Sequence, residues 1–199
     1  MTDAGPDVKD TQDMARLAGG HDAALNELME RHGEKLFHYL VRCLQDEEEA
    51  ADLAQETFVR VYQHRARFDS GQKFSTWLYT IASNLVRDRY RWRARHPQVS
   101  LNAEHEETGT ELSARLAHPD ATPHEFLETT ERVAAIRDAV AALPEELRIP
   151  LLLAEYEDKP QGEIAQILSC SVKAVETRIY RARKQLRTAL GGLFQPRRA

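Results

Sequence analysis

Cysteine is scarce in this 199-residue chain: Cys43 and Cys170 lie far apart and neither belongs to a CxxC pair. That removes the common zinc and redox cysteine motifs, and both thiols read as reduced, small hydrophobic residues. No apolar run approaches the roughly 20 residues of a membrane span. The opening "MTDAGPDVKD" has neither the basic region nor the apolar core of a signal peptide, so we expect no membrane insertion and a cytoplasmic location. The histidines are scattered; His32, His38 and Cys43 come nearest to a cluster but lack ligand spacing, so no metal is expected. Paired carboxylates, a nucleophile beside a base and a phosphate-cradling glycine loop are also missing. An enzyme and a cofactor are therefore not expected.

Ala, Leu, Glu and Arg are abundant and favour helix, which predicts an all-α protein. A formal net charge of -5 conceals alternating blocks. Every charge from Asp46 to Glu56 is acidic, nearly every charge from Arg60 to Arg95 is basic, acids dominate again from Glu104 to Glu131, and bases return from Lys173 to Arg187. Such blocks point to several partners of different charge.

Punctuation divides the chain into a flexible N-terminus (1–20), a helical domain (21–95), an acidic linker (96–123), a second helical domain (124–192) and a flexible tail (193–199). In the first domain Leu25, Leu28, Met29, Leu36, Leu40, Cys43 and Leu44 form one apolar stripe on a helix capped near Asp22. In "EAADLAQETFVRVY" helical rotation puts Ala50, Leu53, Ala54, Phe58 and Val61 inward and Asp52, Gln55 and Glu56 outward. That acidic face is either simply solvated or an interface.

The stretch "KFSTWLYTIASNLVRDRYRWRAR" holds more aromatics than one core stripe requires. Trp77, Leu78, Ile81, Leu85 and Trp92 account for the stripe, which leaves Tyr79, Ser83, Asn84, Arg87 and Tyr90 off it. Aromatic faces beside cations suit unstacked bases, where stacking contributes about 1–3 kcal/mol per base, and Asn84 suits the edge of a flipped base. Ordinary helix packing accounts for the same aromatics.

"PQGEIAQILSCSVKAVETRIYRARKQL" reads as a helix-turn-helix. Ile164, Ala165, Ile167 and Leu168 point inward, Ser169 and Cys170 make the turn, and Ser171 caps a second helix. There Val172, Val175, Ile179, Ala182 and Leu186 share one face, and Lys173, Thr177, Tyr180, Arg181 and Lys184 surround the other. The second face suits a major groove, with Arg178, Arg183 and Arg187 as phosphate contacts. A solvated cationic helix is the alternative.

"DLAQETFVRVY", "FDSGQKFSTWLYTIASNLVRDRYR" and the helix-turn-helix segment, in this order, resemble the extracytoplasmic-function group of bacterial sigma factors, the initiation subunits of RNA polymerase. The resemblance runs from about Ala15 to Leu190. It implies core polymerase, promoter DNA and an anti-sigma factor as partners. Asp52, Gln55 and Glu56 would dock on the polymerase clamp helices. Phe68, Lys73, Phe74, Ser75, Trp77, Tyr79, Asn84 and Arg87 would contact the minus-ten element and capture a flipped base. Lys173, Thr177, Arg178, Tyr180, Arg181 and Lys184 would bind the minus-thirty-five element, with Thr177, Tyr180 and Arg181 matching the positions that read it. Glu104, Glu106, Glu107 and Glu111 would either enter the polymerase's basic cleft or belong to a plain tether.

Three features depart from the family pattern. Glu176 lies on the recognition helix where the family often has a basic residue and would be repelled by phosphate, Pro150 falls inside "ELRIPLLLAEY" where a bend or break is expected, and "DKPQGEIA" has no hydroxyl cap. The rival readings are a free-standing helix-turn-helix regulator and a nucleic-acid-processing enzyme. Overall acidity argues against the first and the missing catalytic constellation against the second.

Overall fold

The computed structural model describes residues 6–96 and 123–191. Every regular element among them is helical: α1 (Pro6–Ala18), α2 (Ala23–Leu44), α3 (Glu47–Gln63), a 3-10 turn (Arg65–Arg67), α4 (Phe74–Arg95), α5 (Pro123–Ala141), α6 (Glu145–Glu155), α7 (Gln161–Ile167) and α8 (Val172–Leu190). The linker glutamates Glu104, Glu106, Glu107 and Glu111 lie outside the described residues.

Helices α2, α3 and α4 pack around Leu28, Leu36, Tyr39, Leu40, Leu53, Phe58, Val61, Phe74 and Leu78. The α2 stripe follows the sequence pattern except at Met29, which is exposed. Asp22 precedes α2 with helical backbone angles and its side chain makes no cap hydrogen bond, unlike the expected cap. Asp46, which was not singled out in sequence, caps α3 by accepting from the Glu49 backbone N–H at 2.9 Å.

The segment expected to be a flexible N-terminus instead forms α1 and docks on α2. Met14 and Leu17 are buried, and so are Asp10 and Asp13. Arg31 reaches both carboxylates, Nε to Asp10 at 2.9 Å and Nη2 to Asp13 at 2.6 Å, while His32 Nε2 lies 2.8 Å from Asp10. Charged residues that read as solvent-facing in sequence are the buried side of this helix, paired by partners from the next one. Gly20, at φ 91°, turns the chain into α2.

Helices α6, α7 and α8 bury Leu147, Leu151, Leu152, Leu153, Ile164, Ile167, Val175, Ile179 and Ala182 together. Pro150 does not break α6, which runs through it to Glu155. Its ring is buried among these leucines, so apolar burial offsets the missing hydrogen bond. Pro160 stands just before α7, and Ser169 takes a left-handed φ of 50° in the turn before α8. Ser171 accepts from the Ala174 N–H as expected, whereas Val172 is exposed rather than inward.

The two helix groups share a seam. Helix α4 lies against α7 and α2 against α6, so the buried cluster continues from one group into the other. Arg148 of α6 is buried there and donates through Nη1 to the Cys43 carbonyl at the end of α2, at 3.0 Å, next to the bond from the Tyr90 hydroxyl to the same oxygen.

Docking of α1 rests on Asp10. Burial opposes its ionisation, but His32 and Arg31 outweigh burial and hold the carboxyl below its ordinary value of 3.8. A carboxyl with a depressed folded-state pKa contributes stability above its unfolded value and loses it as pH falls through the folded one. Asp10→Asn should therefore cost about 1.5–3 kcal/mol at neutral pH in urea unfolding. The gap to the unsubstituted chain should narrow below about pH 4. Equal stability at pH 7 would contradict the assignment.

Candidate nucleic-acid interface

The loop before α4 is shaped by its own side chains. Asp69 Oδ1 accepts from the Gly71 N–H at 2.9 Å, and the Gln72 N–H returns to the Asp69 carbonyl at 3.1 Å. A Cβ on Gly71 would come 3.2 Å from that carboxylate oxygen, so a larger residue there would require the Asp69 side chain to shift. Phe68 closes the loop over the start of α4, with its ring 5.2 Å from Trp77 and 6.2 Å from Phe74. Lys73 and Asn84 are exposed, and Ser75, Trp77 and Arg87 are half-buried.

Two expected minus-ten contacts are placed differently. Phe74 is fully buried, so its contribution is to support Phe68 and Trp77 from below and not to touch a base in this arrangement. Tyr79 is also buried, edge-on to Tyr39 at 5.1 Å, and its hydroxyl donates to Glu157. Ser83, expected off the core, lies beneath with its Oγ 2.9 Å from the Tyr39 hydroxyl. Trp92, expected in the core, is instead exposed near the end of α4, its ring stacked on His96 at 4.9 Å. One stripe cannot describe α4 because it is covered from two sides, by α2 and α3 and by α6 and α7.

Electrostatics along α4 follow from that cover. Burial, then the charge and hydrogen bond of Glu157, hold the Tyr79 phenol far above its ordinary range, so it is a neutral donor. Burial pushes the Glu157 carboxyl up, against the pull of Tyr79 and Arg42. Burial pushes the Lys159 ammonium down. Glu163 hydrogen-bonds Lys73 and raises its pKa; burial works against ionisation of Glu163, but Lys73 and Lys159 prevail and lower it. Farther along, burial raises Tyr90 to about 12, so it too remains a donor.

On α3, Asp52 and Gln55 are exposed and Glu56 is half-exposed, bonded to Arg60 at 2.8 Å. The other acids of the block are not all free: Glu49 pairs with Arg93 and, at 3.4 Å, with Arg89, tying α3 to α4. An open groove lined by Leu53, Leu85, Asp88, Arg89, Trp92 and Arg95 runs beside that tie.

On α8 the face chosen by rotation is free of the core. Lys173, Thr177, Tyr180, Arg181 and Lys184 are exposed, Tyr180 at 68%. Arg178 is half-buried and turned toward Cys170 Sγ at 3.7 Å. Glu176 pairs with Lys173 at 3.0 Å, so its charge is partly neutralised within the helix. Arg183 places two donors, at 3.0 and 2.5 Å, on one oxygen of Glu155.

Residues that the sequence reading did not single out complete this site. Thr76 lies on α4, Glu157, Lys159 and Glu163 bond to Tyr79, Ser75 and Lys73, Arg42 pairs with Glu157 from α2, and Arg148 lies over the Tyr90 ring. Their only sequence signal is that the acids Glu157 and Glu163 follow "LLLAEY" while Lys73, just before α4, is a complementary cation.

Comparison with known proteins agrees with this arrangement. The family described as Sigma-70 region 2 matches residues 28–96, and Sigma-70, region 4 matches residues 134–186. The ECF RNA polymerase sigma factor SigW of Bacillus subtilis is 33% identical over 175 residues, covering 87% of this chain and 92% of SigW. The RNA polymerase sigma-H factor of Pseudomonas aeruginosa is 31% identical over 187 residues, 94% of this chain and 96% of that one. Among solved structures, CnrH in complex with the cytosolic domain of CnrY superposes with a TM-score of 0.66 at 29% identity, covering 92% of this chain and 98% of CnrH. RpoE of Bartonella quintana, in complex with the anti-sigma factor NepR, shares the fold at a TM-score of 0.62 and 20% identity, covering 83% of this chain and 96% of its own. Matched in both regions and along most of its length, the chain belongs to the extracytoplasmic-function family of sigma factors, the subunits that bind core RNA polymerase and promoter DNA and direct transcription initiation.

Proposed function

We propose that this sigma factor divides promoter work among three helices. Asp52, Gln55 and Glu56 on α3 dock on the polymerase clamp. The loop before α4, with Phe68, Lys73, Ser75, Trp77, Asn84 and Arg87, takes a base flipped from the minus-ten element, and Tyr79 joins that site once its cover is removed. On α8, Thr177, Tyr180 and Arg181 read the minus-thirty-five element, and Lys173, Arg178 and Lys184 bind DNA beside them without reading its sequence. The observation that carries this reading is that α8 buries Val175, Ile179 and Ala182 while Thr177, Tyr180 and Arg181 stay exposed behind a capped turn. A helix with that division has a base-reading face to spare.

The same reading gives melting its energetics. Separating strands loses stacking of about 1.4 kcal/mol per step on average, and capture of one base by stacking and edge hydrogen bonds offsets part of that loss. CnrH is held by the cytosolic domain of CnrY in its solved structure, and an anti-sigma partner for this chain is part of the proposal. No described helix is long and apolar enough to cross a membrane. Action in the cytoplasm, where polymerase works, completes the reading.

Reversing the α3 charges with Asp52→Lys and Glu56→Lys should abolish co-elution with core polymerase while leaving helix content unchanged by circular dichroism. Retained co-elution removes α3 from the interface. Asn84→Ala, at an exposed position, should keep polymerase binding and lower permanganate reactivity of minus-ten thymines on the order of tenfold. Undiminished reactivity refutes base capture by Asn84. Arg181→Ala should cost about 1–3 kcal/mol and relax preference at one upstream base pair, whereas Lys184→Ala should weaken holoenzyme binding evenly across upstream sequences. Competition between mutated promoters measures the difference, and identical profiles would contradict the assignment of Arg181.

A further inference from the structure

Helix α1 has no part in the division of promoter work given above, yet it reaches the loop before α4. An open groove runs between Val8, Thr11 and Gln12 of α1 and Ser70, Gln72 and Lys73 of that loop. Lys73 belongs both to this groove and to the surface given to the captured base, so the two are continuous. A strand held at one has its next nucleotide at the other.

The lining suits a nucleobase. Val8, Thr11 and Gln12 follow the i, i+3, i+4 spacing that gathers side chains on one side of a helix. Val8 is 50% exposed, an apolar surface on which a ring can pack. Gln12 is exposed, and its amide offers one acceptor and two donors. The Thr11 hydroxyl donates to the Asp7 carbonyl at 2.9 Å and keeps its oxygen as an acceptor. The Lys73 ammonium carries three donors and gives one to Glu163 at 2.7 Å, which leaves donors for a backbone phosphate. Asp7, the one acid of the lining, directs phosphate away from α1 and toward Lys73.

We propose that α1 supplies a second base subsite of the minus-ten region: the nucleotide adjoining the captured one lies in this groove, its base against Val8 and read by Gln12, its phosphate at Lys73. A side-chain amide pairs in bidentate fashion with adenine, so adenine is the base expected there. The inference rests on the loop before α4 being the minus-ten site, and adds to it a reader from a helix outside that loop.

The docking of α1 suits such a role. Arg31 of α2 bridges Asp10 and Asp13, His32 Nε2 lies 2.8 Å from Asp10, and the His32 ring lies 5.1 Å from that of Phe74, the residue beneath Phe68 and Trp77. Apolar contacts alone could hold a short helix at a lower desolvation cost, but directed bonds to two buried carboxylates also fix its rotation. The same cluster touches the packing under the base loop. Gln12 and that loop are thereby set on one support.

Selection on reconstituted holoenzyme tests the subsite. The probe is forked DNA whose exposed non-template strand is randomised over roughly ten nucleotides and sequenced before and after capture. The unsubstituted chain should enrich two adjoining positions, the captured base and an adenine beside it. Gln12→Ala should lower the adenine preference on the order of tenfold and leave the captured base as strongly selected as before. Gln12→Glu keeps the side-chain length but only accepts, and should move that position toward cytosine. A helix that merely stabilised the fold could produce neither the loss at one position nor the change of base. The inference is overturned if Gln12→Ala leaves the adjoining position unchanged or weakens all positions alike, or if Gln12→Glu still prefers adenine. A captured base with no adjoining preference in the unsubstituted chain overturns this inference alone. If the unsubstituted holoenzyme enriches no position, the reading of the loop before α4 fails and the inference falls with it.

Discussion

The Tyr79 hydroxyl donates to the Glu157 carboxylate across the seam, and neither group can be released without a new partner. Both are largely buried, and a buried polar group left unpaired costs about 1–3 kcal/mol. The phenol belongs to α4 and the carboxylate to the segment between α6 and α7, in the helix group that carries α8. Whatever frees α4 must therefore move the second module and supply acceptors in its place.

Charge blocks organise the rest. Acids at the start of α3 are partly consumed by Arg89 and Arg93 of α4, which fixes the two helices, while Asp52, Gln55 and Glu56 one or two turns later are left outward. Cations on α8 are treated the same way: Arg183 is held by Glu155, whereas Tyr180, Arg181 and Lys184 are not drawn into the core. An overall acidic chain thus keeps an exposed cationic face on α8.

Helical periodicity made α3 and α8 legible, because each buries one face and frees the other. The inward set on α3, Ala50, Leu53, Phe58 and Val61, is buried, and the helix-turn-helix with its Ser171 cap stands as read. Periodicity failed where burial is arranged by distant residues. Asp10 and Asp13 look like solvent-facing acids until Arg31 and His32 are brought beside them. Tyr79 and Ser83 look surplus on a helix with one stripe, yet α6 and α7 return from across the chain to cover a second side. Trp92 lies beyond the reach of that packing, and its bulk alone suggested a core position that the geometry does not provide.

Reconstituted transcription tests the central claim most directly. Purified chain added to bacterial core polymerase should produce runoff transcripts from a discrete start site, with none from core alone and no tight binding of the isolated chain to duplex promoter. Tight duplex binding by the chain alone, together with no transcript in the presence of core, would contradict the account.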